Sequence, residues 1–233
     1  RCAWAGSQKY GALVWSGDIK SSFPSMKNQV AAGLNMGIAG IPWWTTDIGG
    51  FFGANINDPE FHELLIRWFE YGCFCPVMRL HGYRWPLQPQ YGTTGGATCV
   101  SGAPNEVWSY TDQVCEILSD YLRLRERMLP YITELMEEAH EKGTPVMRPL
   151  FYDFPEDKES WNVETEYMFG PKVLVKPITD ADARETDVYL PGGASWTNAW
   201  TGETFEGGQK VHVAAPIEQI PLFTRDGYKL PMK

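Results

Sequence analysis

The sequence predicts an α/β unit built on a parallel sheet over residues 1–145, followed by an all-β sandwich over residues 146–233. Three observations carry this reading. Short apolar runs alternate with helical patterns in the first part. Each of those runs ends in a polar residue: Asp18, Asp47 and His81. The second part has β-type runs separated by turn signals and no long helical pattern. Alternating strands and helices imply right-handed βαβ units. In a parallel α/β barrel, groups at successive strand ends converge on one face.

The first run, Gly11-Ala12-Leu13-Val14-Trp15, reads as a buried strand. Ser16 and Gly17 turn the chain, and Asp18 follows. Ser21-Ser22-Phe23-Pro24 opens a helix to about residue 34, with Phe23, Met26, Val30 and Leu34 near helical spacing. The second run, from Gly37 to Trp44, ends in Thr45-Thr46-Asp47-Ile48-Gly49-Gly50. Asp58 is a good N-cap, Pro59 suits the first turn, and Phe61, Leu64, Leu65 and Trp68 give that helix one apolar face. A third run, Pro76-Val77-Met78-Arg79-Leu80, ends at His81. Residues 83–104 form a long loop rich in Gly, Pro, Thr and Gln. Loops of this length are functional or disordered, and Trp85 and Tyr91 favour ordering over a site. Residues 105–142 read as helical, with Pro130 splitting the run and Gly143 ending it. In the second part, residues 185–190, 196–200, 209–213 and 217–224 are strand candidates of an antiparallel sandwich.

Composition excludes several classes. A net charge of −9 argues against nucleic acid as a partner. No apolar run approaches the roughly 20 residues of a membrane span. Five cysteines, odd in number and irregularly spaced, read as buried free thiols, and Cys73-Phe74-Cys75 is not a CxxC pair. A reducing, cytoplasmic compartment fits that usage, with a periplasmic or secreted location left open. The chain begins with Arg1, so the natural start is expected upstream. Ten tryptophans, five of them at positions 4, 15, 43, 44 and 85, are either core or platforms for flat sugar faces.

Local sequence leaves each polar strand end with two readings. Asp18 is a helix N-cap or the acid of an active site. Asp47, before Gly-Gly, is turn chemistry or a substrate contact. His81 is a satisfied core histidine or a sugar ligand. Trp43 and Trp44 face opposite sides of a strand, so at most one points inward. His62, His140 and His212 look unremarkable, and Glu137, Glu138 and Glu141 read as a solvated face.

The stretches Gly6-Ser7-Gln8-Lys9-Tyr10-Gly11 with Trp15-Ser16-Gly17-Asp18, Gly40 to Phe51, Met78-Arg79-Leu80-His81, Gly143 to Leu150 and Glu166 to Pro171 resemble glycoside hydrolase family 31 in order along nearly the whole chain. The resemblance implies the C-terminal part of a (β/α)8 TIM barrel, roughly its last three strands, followed by a β-sandwich. It implies a retaining exo-α-glycosidase of the α-glucosidase or α-xylosidase kind. Such enzymes use two carboxyl groups about 5 Å apart, one as nucleophile and one as acid and later base. By the resemblance, Asp18 is the acid/base, and the nucleophile lies on an earlier strand outside this chain. Arg1 matches an arginine that binds sugar hydroxyls or neighbouring carboxylates, Trp15 and Phe51 line the subsite of the cleaved sugar, Asp47 is a supporting carboxylate, and His81 binds sugar hydroxyls. No metal or organic cofactor is implied. The expected partners are an oligosaccharide and the missing N-terminal part of the same enzyme, with no nucleic acid and no membrane; a homo-oligomer stays open. Glucose against xylose also stays open. The competing reading is a non-catalytic carbohydrate-binding or assembly fragment, inactive alone.

Overall fold

The computed structural model describes residues 3–4 and 6–232. Cys2 and Arg1 lie outside them. Strand β1 (Val14–Trp15) pairs in parallel with β2 (Trp44–Thr45), with Val14 opposite Trp44 and Trp15 opposite Thr45. The third run continues the layer without forming a regular strand. Val77 N donates to Trp44 O at 3.1 Å, and Ile48 N donates to Arg79 O at 3.3 Å. One bond holds it to β2 and one to the turn after β2, too few for a ladder, so the expected third strand is an extended segment.

Helix α1 (Phe23–Ile38) joins β1 to β2 and runs a turn further than the sequence suggested. Its cap is Ser22, whose hydroxyl accepts from Ser25 N at 3.3 Å. Asp18 is therefore not the cap. Met26, Val30 and Leu34 are buried as the spacing required, and Phe23 is half-buried. Gly33 and Gly37 complete the buried stripe. At Gly33 an added Cβ would stand 2.7 Å from Trp44 Nε1. Trp44 thus packs outward under α1, and strand alternation turns Trp43 to the opposite face.

Strand β3 (Ala54–Asn55) precedes helix α2 (Pro59–Cys73), whose N-cap Asp58 accepts from Glu60 N at 3.0 Å. The expected apolar face is buried, with Trp68 at 0% exposure. Burying a side chain of that size contributes about 3 kcal/mol. The opposite face is buried too, which the sequence did not suggest. Arg67 and Glu70 are both fully enclosed there and pair at 3.1 Å. The β-domain covers that side, and Arg67 donates to the carbonyls of Ala183, Ala215, Pro216 and Gln219.

The loop after His81 is ordered. Strand β4 (Arg84–Trp85) pairs in parallel with β3, and Gln88 bridges Ser101. The long helical pattern divides into α3 (Asp112–Arg127) and α4 (Leu129–Lys142), split just before Pro130. Gly143 ends α4 at φ 71°, a left-handed conformation that suits glycine. Glu137 and Glu141 are exposed. Glu138 is not part of a solvated face: its carboxylate lies 3.5 Å from the buried Arg148 guanidinium and accepts from Thr144 Oγ1.

The β-domain contains strands β5 (Met147–Pro149), β6 (Tyr167–Phe169), β7 (Val173–Val175), β8 (Glu185–Leu190), β9 (Ser195–Asn198), β10 (Thr204–Glu206), β11 (Gln209–Ala214) and β12 (Leu222–Arg225). Six form an antiparallel sheet in the order β10-β9-β12-β7-β6-β5, and β8 and β11 form a separate antiparallel ribbon. Met168, Leu174, Val188, Leu190, Trp196 and Phe223 fill the space between. The candidate strand at 196–200 stops at Asn198, because its Oδ1 accepts from Trp200 N at 2.9 Å and turns the chain. The candidate at 217–224 is irregular until Leu222, and Pro216 and Pro221 account for that.

Of the cysteines expected to be buried, Cys73 and Cys75 are, and burial pushes both thiols up to about 12. Cys99 is exposed and Cys115 half-buried, since both lie on the outer loop and the outer helix. Among the described residues no helix is long and apolar enough to cross a membrane.

Candidate active site

The site forms where β1, β2 and the 76–80 segment end side by side. Side chains two apart share a face of a strand, so Trp15, Thr45 and Asp47 point the same way by register. Arg79 and His81 share a face by the same alternation. The Asp47 carboxyl is fully enclosed and forms an ion pair with Arg79, whose side chain is 37% exposed. Ser16 Oγ accepts from Asp47 N at 3.3 Å, tying the first strand end to the second. Burial raises the Asp47 carboxyl above its ordinary value, and the nearby Asp18 charge acts in the same direction. Arg79, then His81 and the Trp15 indole, oppose that rise.

Phe51 is where the three ends meet. Its N–H donates to Ile19 O at 2.7 Å, next to Asp18, and its carbonyl accepts from Tyr83 N at 2.5 Å, two residues after His81. The Phe51 and His81 rings lie 5.6 Å apart between centroids, tilted by 33°. Asp18 and His81 are both exposed on this surface, with Trp15 and Phe51 half-buried between the core and the open face. Asp47 takes part in the turn, and its side chain is held by an ion pair. Its carbonyl accepts from Gly50 N at 2.9 Å, which is turn chemistry, while its side chain points inward to a cation rather than outward to solvent. Arg1 lies outside the described residues. His62 holds Ile56 O at 2.6 Å and takes no place in this cluster.

Two arginines belong to the site that sequence reasoning passed over. Arg79 sits two positions before His81, so the alternation that selected His81 also selects it. Arg84 is fully buried behind the Gly49-Gly50 turn. It donates to Ile48 O at 3.1 Å and Gly50 O at 2.8 Å. An arginine inside a glycine-rich loop carries no clear sequence signal.

Acids, an imidazole and aromatic rings are thus gathered where neighbouring parallel segments of an α/β unit end. The chain belongs to glycosyl hydrolase family 31: residues 1–135 match that family's TIM-barrel domain, and residues 143–230 match its C-terminal domain. It is 38% identical over its full length to an alpha-xylosidase of Saccharolobus solfataricus, covering 29% of that protein. It is 35% identical over 97% of its length to alpha-glucosidase 2 of Bacillus thermoamyloliquefaciens, covering 26%. The crystal structure of a family 31 alpha-xylosidase from a soil metagenome, complexed with xylose, superposes with a TM-score of 0.95 and 55% identity, over 99% of this chain and 34% of that one. The chain therefore spans between a quarter and about a third of the length of these relatives.

Proposed function

We propose that this chain carries the acid/base half of a retaining exo-α-glycosidase that removes terminal α-linked xylose from oligosaccharides. The observation that supports xylose over glucose is the 55% identity to an alpha-xylosidase complexed with xylose, against 35% to the alpha-glucosidase. In the first step a carboxylate from outside this chain attacks the anomeric carbon. Asp18 gives its proton to the departing glycosidic oxygen, and a glycosyl ester forms. In the second step Asp18 takes a proton from water, the water oxygen attacks the anomeric carbon, and the carboxylate leaves. Phe51 and His81 form the wall of the subsite for the cleaved sugar, with the ring providing an apolar face and the imidazole a hydrogen bond. Trp15 lines the same subsite. Asp47, neutralised by Arg79, holds the floor between them.

The chain alone is expected to be inactive. An apolar groove of about 580 Å³ runs between the 76–80 segment and α3, lined by Val77, Met78, Leu80, Trp108 and Leu122 among others. The full-length protein should cleave isoprimeverose and p-nitrophenyl α-xyloside with kcat/KM at least about tenfold above maltose and isomaltose, the scale of discrimination one extra hydroxymethyl group allows. Preference for maltose would replace xylose by glucose in this reading. Turnover of p-nitrophenyl α-xyloside or p-nitrophenyl α-glucoside by residues 1–233 alone would contradict the missing-carboxylate part of it.

A further inference from the structure

The buried Arg84 has no part in bond making, yet its donors are spent on the turn that carries the sugar subsite. Asp47 begins that turn and Phe51 ends it. Gly49 at φ 83° and Gly50 at φ 74° take left-handed conformations in succession, which turns the carbonyls of Ile48, Gly50 and Phe51 towards one point. Three converging carbonyls repel one another and, once buried, need donors. Arg84 occupies that point. Nη2 reaches Ile48 O at 3.1 Å, and Nη1 reaches Gly50 O at 2.8 Å and Phe51 O at 3.4 Å.

The surroundings are shaped to admit the guanidinium and to hold it from behind. An added Cβ at Gly82 would stand 2.4 Å from Arg84 Cζ, and one at Gly102 2.9 Å from Arg84 N. The Phe61 ring lies 4.9 Å below the guanidinium. Nε donates to Asn105 Oδ1 at 3.1 Å, and the Tyr110 hydroxyl donates to the same oxygen. The planar fork is what lets one side chain serve several carbonyls at fixed angles. An ammonium is a point charge and does not reproduce it.

We infer that Arg84 is a positioning residue for the sugar subsite: its guanidinium fixes the Asp47–Phe51 turn and thereby sets the Phe51 ring against His81. The inference rests on the proposed glycosidase reading. It predicts a defect confined to the sugar being cleaved. Arg84→Ala in the full-length protein should raise the inhibition constant of free xylose about tenfold or more, the effect of moving a substrate-contacting group by a fraction of an ångström. It should lower kcat/KM by one common factor for activated aryl xylosides and for isoprimeverose, because leaving-group chemistry is untouched. Arg84→Lys should fail to restore either constant, and added guanidinium or methylguanidinium should restore Arg84→Ala in part. If Arg84→Ala does not fold, Asn105→Ala, which removes the rear support and leaves the bonds from Arg84 to the turn, should shift the xylose constant in the same direction by a smaller factor.

An unchanged xylose constant, with activity falling only as the folded fraction falls, overturns the inference and leaves the glycosidase reading standing. A wild-type protein that cleaves no α-xyloside or α-glucoside and binds neither monosaccharide overturns the reading itself.

Discussion

Asp47 and Arg79 stand 32 residues apart in sequence, on neighbouring strand ends, and their side chains close into an ion pair whose carboxyl side is sealed from solvent. The pair is lopsided, because the Arg79 side chain keeps 37% of its surface in contact with solvent. Its worth is therefore below that of a fully enclosed pair.

Removal of one partner tests that balance. Arg79→Ala should cost about 1–3 kcal/mol, because the carboxylate stays behind without its cation. Asp47 already has a folded-state value above its unfolded one, so the native state binds more protons and this group's contribution falls as pH rises between the two. Loss of Arg79 stretches that window to higher pH. Urea unfolding midpoints measured from pH 4 upward should fall more steeply for Arg79→Ala than for wild type, and Asp47→Asn should flatten the difference. Parallel profiles would mean that Arg79 does not govern this carboxyl.

Asp18→Asn in the full-length protein should nearly abolish cleavage of isoprimeverose while sparing aryl xylosides with good leaving groups, by a margin of about a hundredfold or more. Good leaving groups depart without a proton. Equal losses for both substrates would remove Asp18 from the acid role.

Gly33→Ala should destabilise the protein although alanine is the better helix former by about 1 kcal/mol. The new methyl meets the Trp44 indole at 2.7 Å and the Met147 methyl at 3.3 Å. A net loss of about 1–2 kcal/mol is expected from overpacking. Thermal unfolding of Gly33→Ala beside Gly33→Ala/Trp44→Leu reads it out: the second change should recover much of the loss.

Burial pushes Glu70 up to about 8, against the attraction of Arg67 and the Tyr121 hydroxyl. Between its ordinary 4.5 and 8 the folded state holds a proton that the unfolded chain has released. Stability from this group is therefore fully present below about pH 4.5 and declines as pH approaches 8. Glu70→Gln should lose that part of the pH dependence, so the two unfolding curves converge in mild acid and separate above neutrality. Curves that stay parallel through this range would overturn the assignment.

The strand ends were legible because they combine two strong local signals, an apolar run and a polar stop. The split before Pro130 and the caps at Ser22, Asp58 and Gly143 follow from backbone chemistry that a few residues determine. Three things were not legible. The second buried face of α2 depends on Arg67 and Glu70, which read as surface charges until the β-domain lies on them. Short strands such as β5 and β10 are defined by partners far along the chain. Arg84 looks like an ordinary loop cation because the carbonyls it holds come from a turn 34 residues earlier. In the site, Asp18, Asp47, Phe51 and His81 could be gathered from strand order and family likeness. Arg79 follows from the alternation that selects His81, whereas Arg84, which holds the turn, could be found only in three dimensions.

The Arg67 side chain reaches five oxygens, four of them backbone carbonyls of residues 183, 215, 216 and 219. The 76–80 segment and His81 follow directly after the helix that bears it, so the sandwich serves as a foundation for the side of the candidate site that carries His81. Modular recombination has to respect this. A chimera that joins the barrel of one relative to the sandwich of another must inherit Arg67, Glu70, Tyr121, Ala183 and residues 215–219 as one block. Otherwise the seam leaves a charge with no acceptors in the middle of the molecule.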